Sequence, residues 1–346
     1  NINRLPPPES VPLESSSQPR PLTEDQKNDL LEELEETSEV PDILLRNRTI
    51  SGPSNGTELD VNITQDNNTV YQSTVPKRSL IQTSDKPSLM VLANRTLAPS
   101  DAHYTMESSI ANKNGTVFYV GNWFAARSPD HGISWAYIIP TSPNIMPDFC
   151  CDQDTIFDPK HGIFIWYLQG IKDIRTGENR IKIGVSHDTR DWSFITFKAS
   201  HINSTWINQQ SDYPNLSLSN KYLYITMNMI QHHPSEDPEF LRPIILRILL
   251  DDLARTDANT GPAYEYYDDT SLPNSSHTFT PIQGASDKMY WAIHLSNDKM
   301  RIYEWPDSLP RTAVKIFDRS VPAWTPLNRL EGECPGPDGN NWCVRG

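Results

Sequence analysis

The chain has 346 residues, a formal net charge of −14, 36% hydrophobic residues and 29 prolines, which predicts a large, turn-rich soluble protein. The negative charge argues against nucleic acid or an anionic membrane surface as a partner, because both require a basic protein surface. No segment approaches the roughly 18 consecutive apolar residues of a membrane-spanning helix, so the sequence predicts no membrane span in this chain.

Residues 1–100 differ in composition from the rest and predict an N-terminal stalk. Residues 1–20 are rich in Pro and Ser, a composition that favours an extended chain. One short helix is expected near residues 23–37, because Thr23-Glu24-Asp25-Gln26 has the form of a capping box and leucines follow at helical spacing. This N-terminal arm could also pack against a second copy of the chain.

Sequons for N-glycosylation are frequent, and they predict a secreted or cell-surface glycoprotein. Four of them lie between Arg46 and Gln72, which marks that part of the stalk as a candidate glycan shield. The nine acceptor asparagines are Asn47, Asn55, Asn62, Asn67, Asn94, Asn114, Asn203, Asn215 and Asn274.

Residues 101–346 alternate short apolar strands with turns, which predicts an all-β domain. Four successive units, each with three or four predicted strands, fit before residue 320, and a fifth begins near Ala323-Trp324. Short strands separated by turns about every 8 to 12 residues also occur in β-sandwiches. The long repeat favours the four-stranded blades of a β-propeller.

The turn after the third predicted strand carries the most specific motif. Ser128, Asp130, Gly132 and Trp135 form the pattern Ser-x-Asp-x-Gly-x-x-Trp. The Asp can bind amides of its own turn, Gly allows a positive φ and the Trp ring packs beneath. The pattern resembles the Asp-box (BNR repeat) of sialidase-like β-propellers, where it is structural and carries no chemistry.

Two weaker copies of this motif follow at a long period. Ser186, Asp188 and Trp192 form a copy without the Gly, and a Ser-x-Asp turn begins at Ser296. The three turns are 58 and 110 residues apart, which corresponds to one blade and to about two blades. The resemblance implies a six-bladed propeller, so either the chain is a fragment or its N-terminal hundred residues complete the ring.

The catalytic pattern of sialidases is not matched. The resemblance implies three arginines on a substrate carboxylate, a Tyr/Glu nucleophile pair, an Asp acid and an Arg-Ile-Pro motif. That motif is absent, and no spacing connects the available arginines, which are Arg127, Arg180, Arg242 and Arg247. We therefore assign no catalytic residue and expect binding without turnover.

An acidic segment offers a candidate polar site. Asp152 and Asp154 alternate along one predicted strand and should point to the same side, and Asp212 occupies the corresponding strand of the next unit. These acids could serve as acid and base in glycoside hydrolysis, as Ca²⁺ ligands, or as hydrogen-bond partners of a sugar. They could equally accept hydrogen bonds from backbone amides near a propeller axis.

Aromatic residues provide the remaining ligand candidates. Tyr264, Tyr266 and Tyr267 lie in a predicted connection between two blades, where they could stack on a glycan alongside a hydrogen-bonding Asp212. By contrast, Trp166, Trp291 and Trp305 lie within predicted strands and should build the core.

The four cysteines fall into two close pairs, which suits an oxidising compartment. Cys334 and Cys343 flank a turn-rich loop that a disulfide could close. Cys150 and Cys151 are adjacent, so they form a vicinal disulfide or point to opposite faces of a strand. Pairing of each with a distant cysteine is a further connectivity.

These observations predict an extracellular or cell-surface glycoprotein whose non-catalytic, sialidase-like propeller binds a glycan or a protein. A structural subunit of a surface assembly and an exo-sialidase-like glycoside hydrolase are the two alternatives. Ca²⁺ at Asp152 and Asp154 is the one cofactor that the sequence suggests.

Overall fold

A computed structural model describes residues 3–12, 15–16, 107–232, 238–255, 259–273 and 276–323. The predicted helix near residues 23–37 lies outside these residues. The same holds for Cys334, Cys343, Trp324 and six sequon asparagines, namely Asn47, Asn55, Asn62, Asn67, Asn94 and Asn274. No helix in the described part of the chain has the length and apolar character needed to cross a membrane.

The described residues form four antiparallel sheets, each following the chain as a meander with hairpin-connected strands. Sheet 1 contains β3 (Ser109–Lys113), β4 (Thr116–Gly121), β5 (Phe124–Ser128) and β6 (Ala136–Ile138). Sheet 2 contains β7 (Phe149–Asp158), β8 (Ile163–Gly170), β9 (Ile181–Ser186) and β10 (Asp191–Phe197). Sheet 3 contains β11 (Gln209–Leu218), β12 (Tyr222–Gln231), β13 (Glu239–Leu249) and β14 (Tyr264–Asp268). Sheet 4 contains β15 (Thr280–Pro281), β16 (Lys288–Ser296), β17 (Lys299–Pro306) and β18 (Lys315–Ser320).

Helical structure is confined to three short segments in this part of the chain. They are α1 (Ala199–Ile202), α2 (Leu250–Leu253) and a 3₁₀ turn at Arg311–Ala313. The first two follow the last strand of sheet 2 and the third strand of sheet 3, where they bury apolar residues beside those sheets.

The apolar cores lie between consecutive sheets, so the middle strands are buried on both faces. All eight residues of β8 are buried, because one face packs toward sheet 1 and the other toward sheet 3. Trp166 lies in the core between sheets 1 and 2, and Trp291 and Trp305 lie in the core between sheets 3 and 4. The prediction that these three residues build the core is confirmed.

One amide side chain joins each pair of consecutive sheets, and the first two of the three, Gln153 and Asn179, are buried. Gln153 donates to the carbonyls of Gly121 and Phe124, at 2.6 and 3.2 Å, and accepts from the Trp166 indole at 2.9 Å. Asn179 exchanges hydrogen bonds with Ser211 between sheets 2 and 3.

Between sheets 3 and 4, the Asn228 side chain donates to the Thr278 hydroxyl at 3.0 Å and accepts from the Thr278 amide at 3.2 Å. An amide side chain offers both donors and an acceptor, so a side chain from one sheet can satisfy polar groups beside the next sheet.

The first strands of the four sheets are neighbours in space. The Ser109 hydroxyl of β3 donates to the Thr155 carbonyl of β7 at 3.0 Å. The Leu216 amide of β11 donates to the Asp154 carboxylate of β7 at 2.7 Å. Gln283, just after β15, donates to the Leu216 carbonyl at 2.7 Å. The first strands β3, β7, β11 and β15, called here the inner-edge strands, therefore lie next to one another in this order.

The N-terminal strap, residues 3–12 and 15–16, crosses the outer edges of three sheets in reverse order. Arg4 bridges to Ala263 beside sheet 3. Next, β1 (Glu9–Pro12) pairs with β10 of sheet 2, and β2 (Ser15–Ser16) pairs with β6 of sheet 1. Leu5 is only 3% exposed and belongs to the core between sheets 2 and 3. The strap thus packs on sheets of its own chain.

The structure corrects three expectations about the strands. Tyr264–Asp268 is the strand β14, paired with β13, and not a connection. The last strand of sheet 4, β18, and the strap strands were not predicted.

The Ser296 turn joins β16 to β17, the second and third strands of its sheet. The Ser128 and Ser186 turns each lead from a third strand to a fourth strand, so the Ser296 turn is not their counterpart.

Candidate functional site

The inner-edge strands enclose a polar cavity of about 440 Å³, called here the channel cavity. It lies where β3, β7 and β11 meet, with Gln283 at one side. Its lining includes Glu107, Asp152, Asp154, Tyr213, Asn215 and Gln283. Within the described ranges, neither arginine nor lysine lines this cavity.

Asp154 sits in the channel cavity, and its carboxylate is held by backbone amides. One oxygen accepts from the Thr155 amide and the other accepts from the Leu216 amide, each at 2.7 Å. Burial raises the pKa of Asp154 above its usual range, against hydrogen bonds from Ser109, Leu216 and Thr155 that lower it. This side chain therefore links sheet 2 to sheet 3.

Asp212 has a different set of neighbours. Its carboxylate accepts a hydrogen bond from the Gln169 amide of β8 at 2.9 Å. The same Gln169 nitrogen lies 3.9 Å from the Cys151 sulfur. Asp212 is thus tied to the middle of sheet 2 and does not share a ligand position with Asp154.

The three predicted acids surround one buried tyrosine. Burial raises the pKa of the Tyr167 hydroxyl, and the charges of Asp152, Asp212 and Asp154 raise it further. Tyr167 therefore stays neutral while it separates the three carboxylates. The convergence of these acids on one ion is not what the structure shows.

The calcium site expected at Asp152 and Asp154 stays a prediction. In the ranges that the structure describes, no three His, Cys, Asp or Glu side chains are grouped so that they could hold a metal ion. The calcium site predicted at Asp152 and Asp154 therefore lacks a third acidic ligand from this part of the chain, whereas Ca²⁺ takes six to eight oxygens.

Tyr213 is the cavity residue that sequence reasoning missed. Its side chain is 49% exposed and its φ is +54°, in the left-handed region that bulky residues rarely adopt. It lies at a register break in β11 between Asp212 and Asn215. The signal was the Pro at position 214, because proline within a strand marks a bulge.

The predicted aromatic ligand site is partly structural. The Tyr264 hydroxyl donates to the carbonyls of His201 and Ile202 at 2.7 and 2.9 Å. The Tyr267 ring packs against Trp291 and Trp305.

The Tyr266 hydroxyl accepts from Asn203 at 2.8 Å. Tyr264 and Tyr266 also line a second cavity of about 390 Å³ beside the strap. Asp212 belongs to the inner strand β11, whereas these tyrosines belong to the outer strand β14.

The arginines are dispersed. Arg247 is 2% exposed, pairs with Glu265 and lies between the rings of Tyr222 and Trp305. Arg180 pairs with Asp148, and Arg242 binds Gln209. These contacts connect strands and loops, so the three arginines do not form a carboxylate-binding cluster.

The first Ser-x-Asp turn has the geometry that its motif requires. The Ser128 hydroxyl accepts from the Gly132 amide at 2.8 Å, and Asp130 accepts from the Ser134 amide at 2.8 Å. The Trp135 indole donates to the Gly132 carbonyl at 3.0 Å. Hydrogen bonds from Ser134 lower the pKa of Asp130 to about 2.

The second Ser-x-Asp turn is one residue shorter. The Ser186 hydroxyl accepts from the Thr189 amide at 2.8 Å, and Thr189 takes the left-handed conformation with a φ of +65°. Asp188 accepts from the amides of Arg190 and Asp191 at 2.8 and 3.0 Å. Trp192 is buried in the core between sheets 1 and 2. The shorter turn closes without the glycine.

The adjacent cysteines are bonded to each other in the structure. Cys150 and Cys151 lie in β7 within the register break between Phe149 and Gln153. The chain there departs from regular pairing just before the acids of the channel cavity. Cys150 is buried, and the Cys151 sulfur faces Gln169.

Comparison with known proteins gives weak similarities. No family model matches the sequence, and no curated protein matches it. Among solved structures, the GH32 β-fructofuranosidase BmSUC1 of Bombyx mori is similar at a TM-score of 0.34 and 11% identity, over 60% of this chain and 44% of that enzyme. The chain therefore spans less than half the length of that enzyme.

The GH43 endo-arabinanase from Bacillus licheniformis is similar at a TM-score of 0.30 and 10% identity, over 63% of this chain and 93% of that one. Both TM-scores are below 0.5, so we derive neither fold nor activity from these similarities.

Proposed function

We propose that this protein is an extracellular or cell-surface glycoprotein that binds carbohydrate in the channel cavity without turning it over. The observation that carries the proposal is the half-exposed Tyr213 in a cavity lined by carboxylates and amides. An aromatic face beside several hydrogen-bond acceptors suits a sugar, whose ring has an apolar face and hydroxyl donors around its edge.

We also propose that the four sheets are blades of a sialidase-like β-propeller. The support is the order of the sheets along the chain, the cores between consecutive sheets, and the adjacency of β3, β7, β11 and β15. In a propeller the first strand of every blade faces the axis. The channel cavity would then lie on that axis.

The contacts of the acids favour binding over hydrolysis. Glycoside hydrolysis needs one carboxyl group to donate a proton and a second to act as base or nucleophile. The raised pKa of Asp154 would suit a proton donor, but each of its oxygens already accepts a backbone amide. Asp212 is held by Gln169. Neither group is presented to a glycosidic bond.

The lining also indicates the class of sugar. Glu107, Asp152 and Asp154 give the cavity an acidic character, and no basic side chain from the described ranges lines it. A sugar carboxylate would be repelled there, so the ligand is a neutral or amino sugar. This argues against a sialidase-like activity in this cavity.

The extracellular location is part of the proposal. Asn114 supports it, since it lies exposed between β3 and β4 with a φ of +50° and precedes Gly115 and Thr116 in an accessible sequon. The adjacent disulfide cysteines suit the same oxidising compartment.

The experiment is a glycan array probed with the purified protein and two variants. Tyr213→Ala should lose the neutral-sugar signal, because stacking of the aromatic ring on the sugar supplies much of the contact in such sites. Tyr213→Phe keeps the ring and should retain most of the neutral-sugar signal. Phe317→Ala, which removes a ring from the outer strand β18, is the matched control.

Equal binding by Tyr213→Ala and the wild type would refute the assignment of the cavity. Release of free sugar from any bound glycan would favour the hydrolase alternative. A stable self-association without glycan binding would favour the structural subunit.

A further inference from the structure

A second cavity, called here the rim pocket, lies between sheets 1 and 2 away from the channel cavity. It has a volume of about 320 Å³ and is formed by the β3–β4 hairpin, the end of β5 and the turn after β9. The ionisable side chains of the lining are Lys113, Arg127, His187, Asp188 and Arg190. The proposed carbohydrate function does not use any of them.

Lys113 fixes one side of the rim pocket. Its ammonium group donates to the Gly162 carbonyl at 2.9 Å and to the His187 carbonyl at 3.1 Å. The positive charge is therefore held in place by neutral carbonyls, and among the described residues no carboxylate forms an ion pair with it. Its position depends on the hairpins of both sheets.

Arg127 is the half-buried charge of the pocket. Within the described residues it makes no hydrogen bond and no ion pair within 4 Å, although guanidinium groups elsewhere in this chain pair with Asp or Glu. Burial lowers the pKa of Arg127, and repulsion from Arg190 lowers it further, against attraction from Asp188. A bound anion would relieve that repulsion.

The one acid in the lining is already engaged. The Asp188 Oδ1 atom accepts from the amides of Arg190 and Asp191 and from the Ser186 hydroxyl, at 2.8 to 3.2 Å. The lining carries three positive side chains and one negative side chain, which gives a net charge of +2 with His187 neutral. The positive side chains are Lys113, Arg127 and Arg190, and the negative one is Asp188. This is the opposite of the whole chain, whose net charge is −14.

We propose that the rim pocket binds the carboxylate or sulfate group of an acidic saccharide. Arg127 and Arg190, which form no ion pair within 4 Å among the described residues, can each present a fork of donors to a planar or tetrahedral oxyanion, and Lys113 adds a third positive charge. Thr116 and His187 line the same pocket and offer hydrogen-bond groups for the hydroxyls of the sugar. The protein thus has an acidic-sugar site separate from its channel cavity.

The test is calorimetric titration of the purified protein with glucuronate, glucose 6-sulfate, inorganic sulfate and glucose. The two sugar anions should bind, glucose should not, and the affinity should fall as ionic strength rises. The double variant Arg127→Gln/Arg190→Gln should weaken binding of the sugar anions at least about tenfold. Arg175→Gln, at an arginine side chain that is 84% exposed on another turn, should leave binding unchanged.

Amide chemical shifts keep the proposal testable if the double variant unfolds. In the wild-type protein, glucuronate should shift the amides of Lys113, Arg127 and Arg190 and leave those of Tyr213 and Asn215 unchanged.

Three results would overturn the proposal: no binding of either sugar anion, binding that the double variant retains in full, or shifts confined to the channel cavity. Equal affinity for inorganic sulfate and glucose 6-sulfate would overturn the saccharide assignment and indicate an adventitious ion only.

Discussion

Some residues in this protein stabilise the fold through local hydrogen bonds, whereas Tyr213 adopts a backbone conformation that is unfavourable for its residue type. Asp130 and Asp188 follow their motif and hold turns. Tyr213 breaks a local rule, since a bulky residue with φ near +54° carries backbone strain. Strain of this kind concentrates at functional positions. The motif was predictable because its hydrogen bonds are local, whereas the exposure of Tyr213 depends on three strands.

The strain at Tyr213 predicts a separation of stability from binding. Glycine adopts a positive φ freely, and the Tyr213 side chain is half exposed. Tyr213→Gly should therefore keep the free energy of unfolding within about 1 kcal/mol of the wild type, or raise it. The same variant should lose the neutral sugar.

Urea unfolding alongside sugar titration checks this prediction. Tyr213→Ala, which removes the ring and leaves the strain, is the control. A loss of stability of several kcal/mol in both Tyr213→Gly and Tyr213→Ala would mean that the ring builds the fold.

The lowered pKa of Asp130 predicts a pH dependence. Its pKa is about 2 in the folded protein and about 3.9 in an unfolded chain, so the unfolded state binds more protons between these values. The stabilisation is complete above about pH 4 and is lost as the pH falls toward 2.

Melting temperatures of Asp130→Asn, measured across this window, should fall less steeply than those of the wild type. Glu239→Gln removes an exposed carboxylate from another strand and should follow the wild-type curve. Parallel curves for Asp130→Asn and the wild type would exclude the ionised carboxylate as the source of stability.

At the scale of elements, the central strands were predictable, whereas the outer strands of sheets 3 and 4, β14 and β18, were not. Buried strands such as β8 have continuous apolar runs because both faces are covered. By contrast, β18 is largely exposed, so it lacks such a run. The tyrosines of β14 suggested a ligand platform, because sequence alone does not show that Trp291 and Trp305 cover Tyr267.

The strap depends on a glycine that lies against it. A Cβ atom at Gly261 would lie 1.6 Å from the Leu5 carbonyl oxygen and 2.3 Å from that of Pro6. Gly261→Ala should therefore displace the strap and expose Leu5, which costs about 1.5–3 kcal/mol for a buried leucine plus lost strand pairing.

Urea unfolding and limited proteolysis near residue 10 would measure this loss. Gly284→Ala is the control, because a Cβ there meets no atom within 4 Å and only its φ of +76° opposes the change. A strap that remains protected in Gly261→Ala would show that it is held elsewhere.

At the scale of the whole molecule, the described residues repeat a four-stranded antiparallel sheet four times along the chain. Each sheet is a meander, and one amide side chain joins each consecutive pair of sheets. The repeated alternation of apolar strands and turns made a succession of antiparallel sheets predictable. The channel cavity was predictable only in part, because Asp154 was named but its backbone partner Leu216 lies on another sheet.

The described sequons differ in access, which predicts the glycosylation pattern. Asn114 is exposed in a hairpin turn, whereas Asn215 lies within β11 and the Ser217 hydroxyl of its sequon donates to the Ile282 carbonyl. The folded, secreted protein should carry glycan at Asn114 and not at Asn215.

Peptide mass spectrometry after enzymatic deglycosylation distinguishes the two sites, and an Asn114→Gln variant confirms the assignment of the mass. A fully occupied Asn215 would contradict the placement of β11, and an unmodified protein would remove the support for an extracellular location.

The most direct measurement of the central claim is a crystal structure of the full chain grown with the tightest neutral sugar from the array. The sugar ring should lie against Tyr213, with hydroxyls within hydrogen-bond distance of Asp152 or Gln283, and the sugar should be intact. A sugar bound elsewhere, or a cleaved product between two carboxylates in the channel cavity, would contradict a non-catalytic binding site at this position.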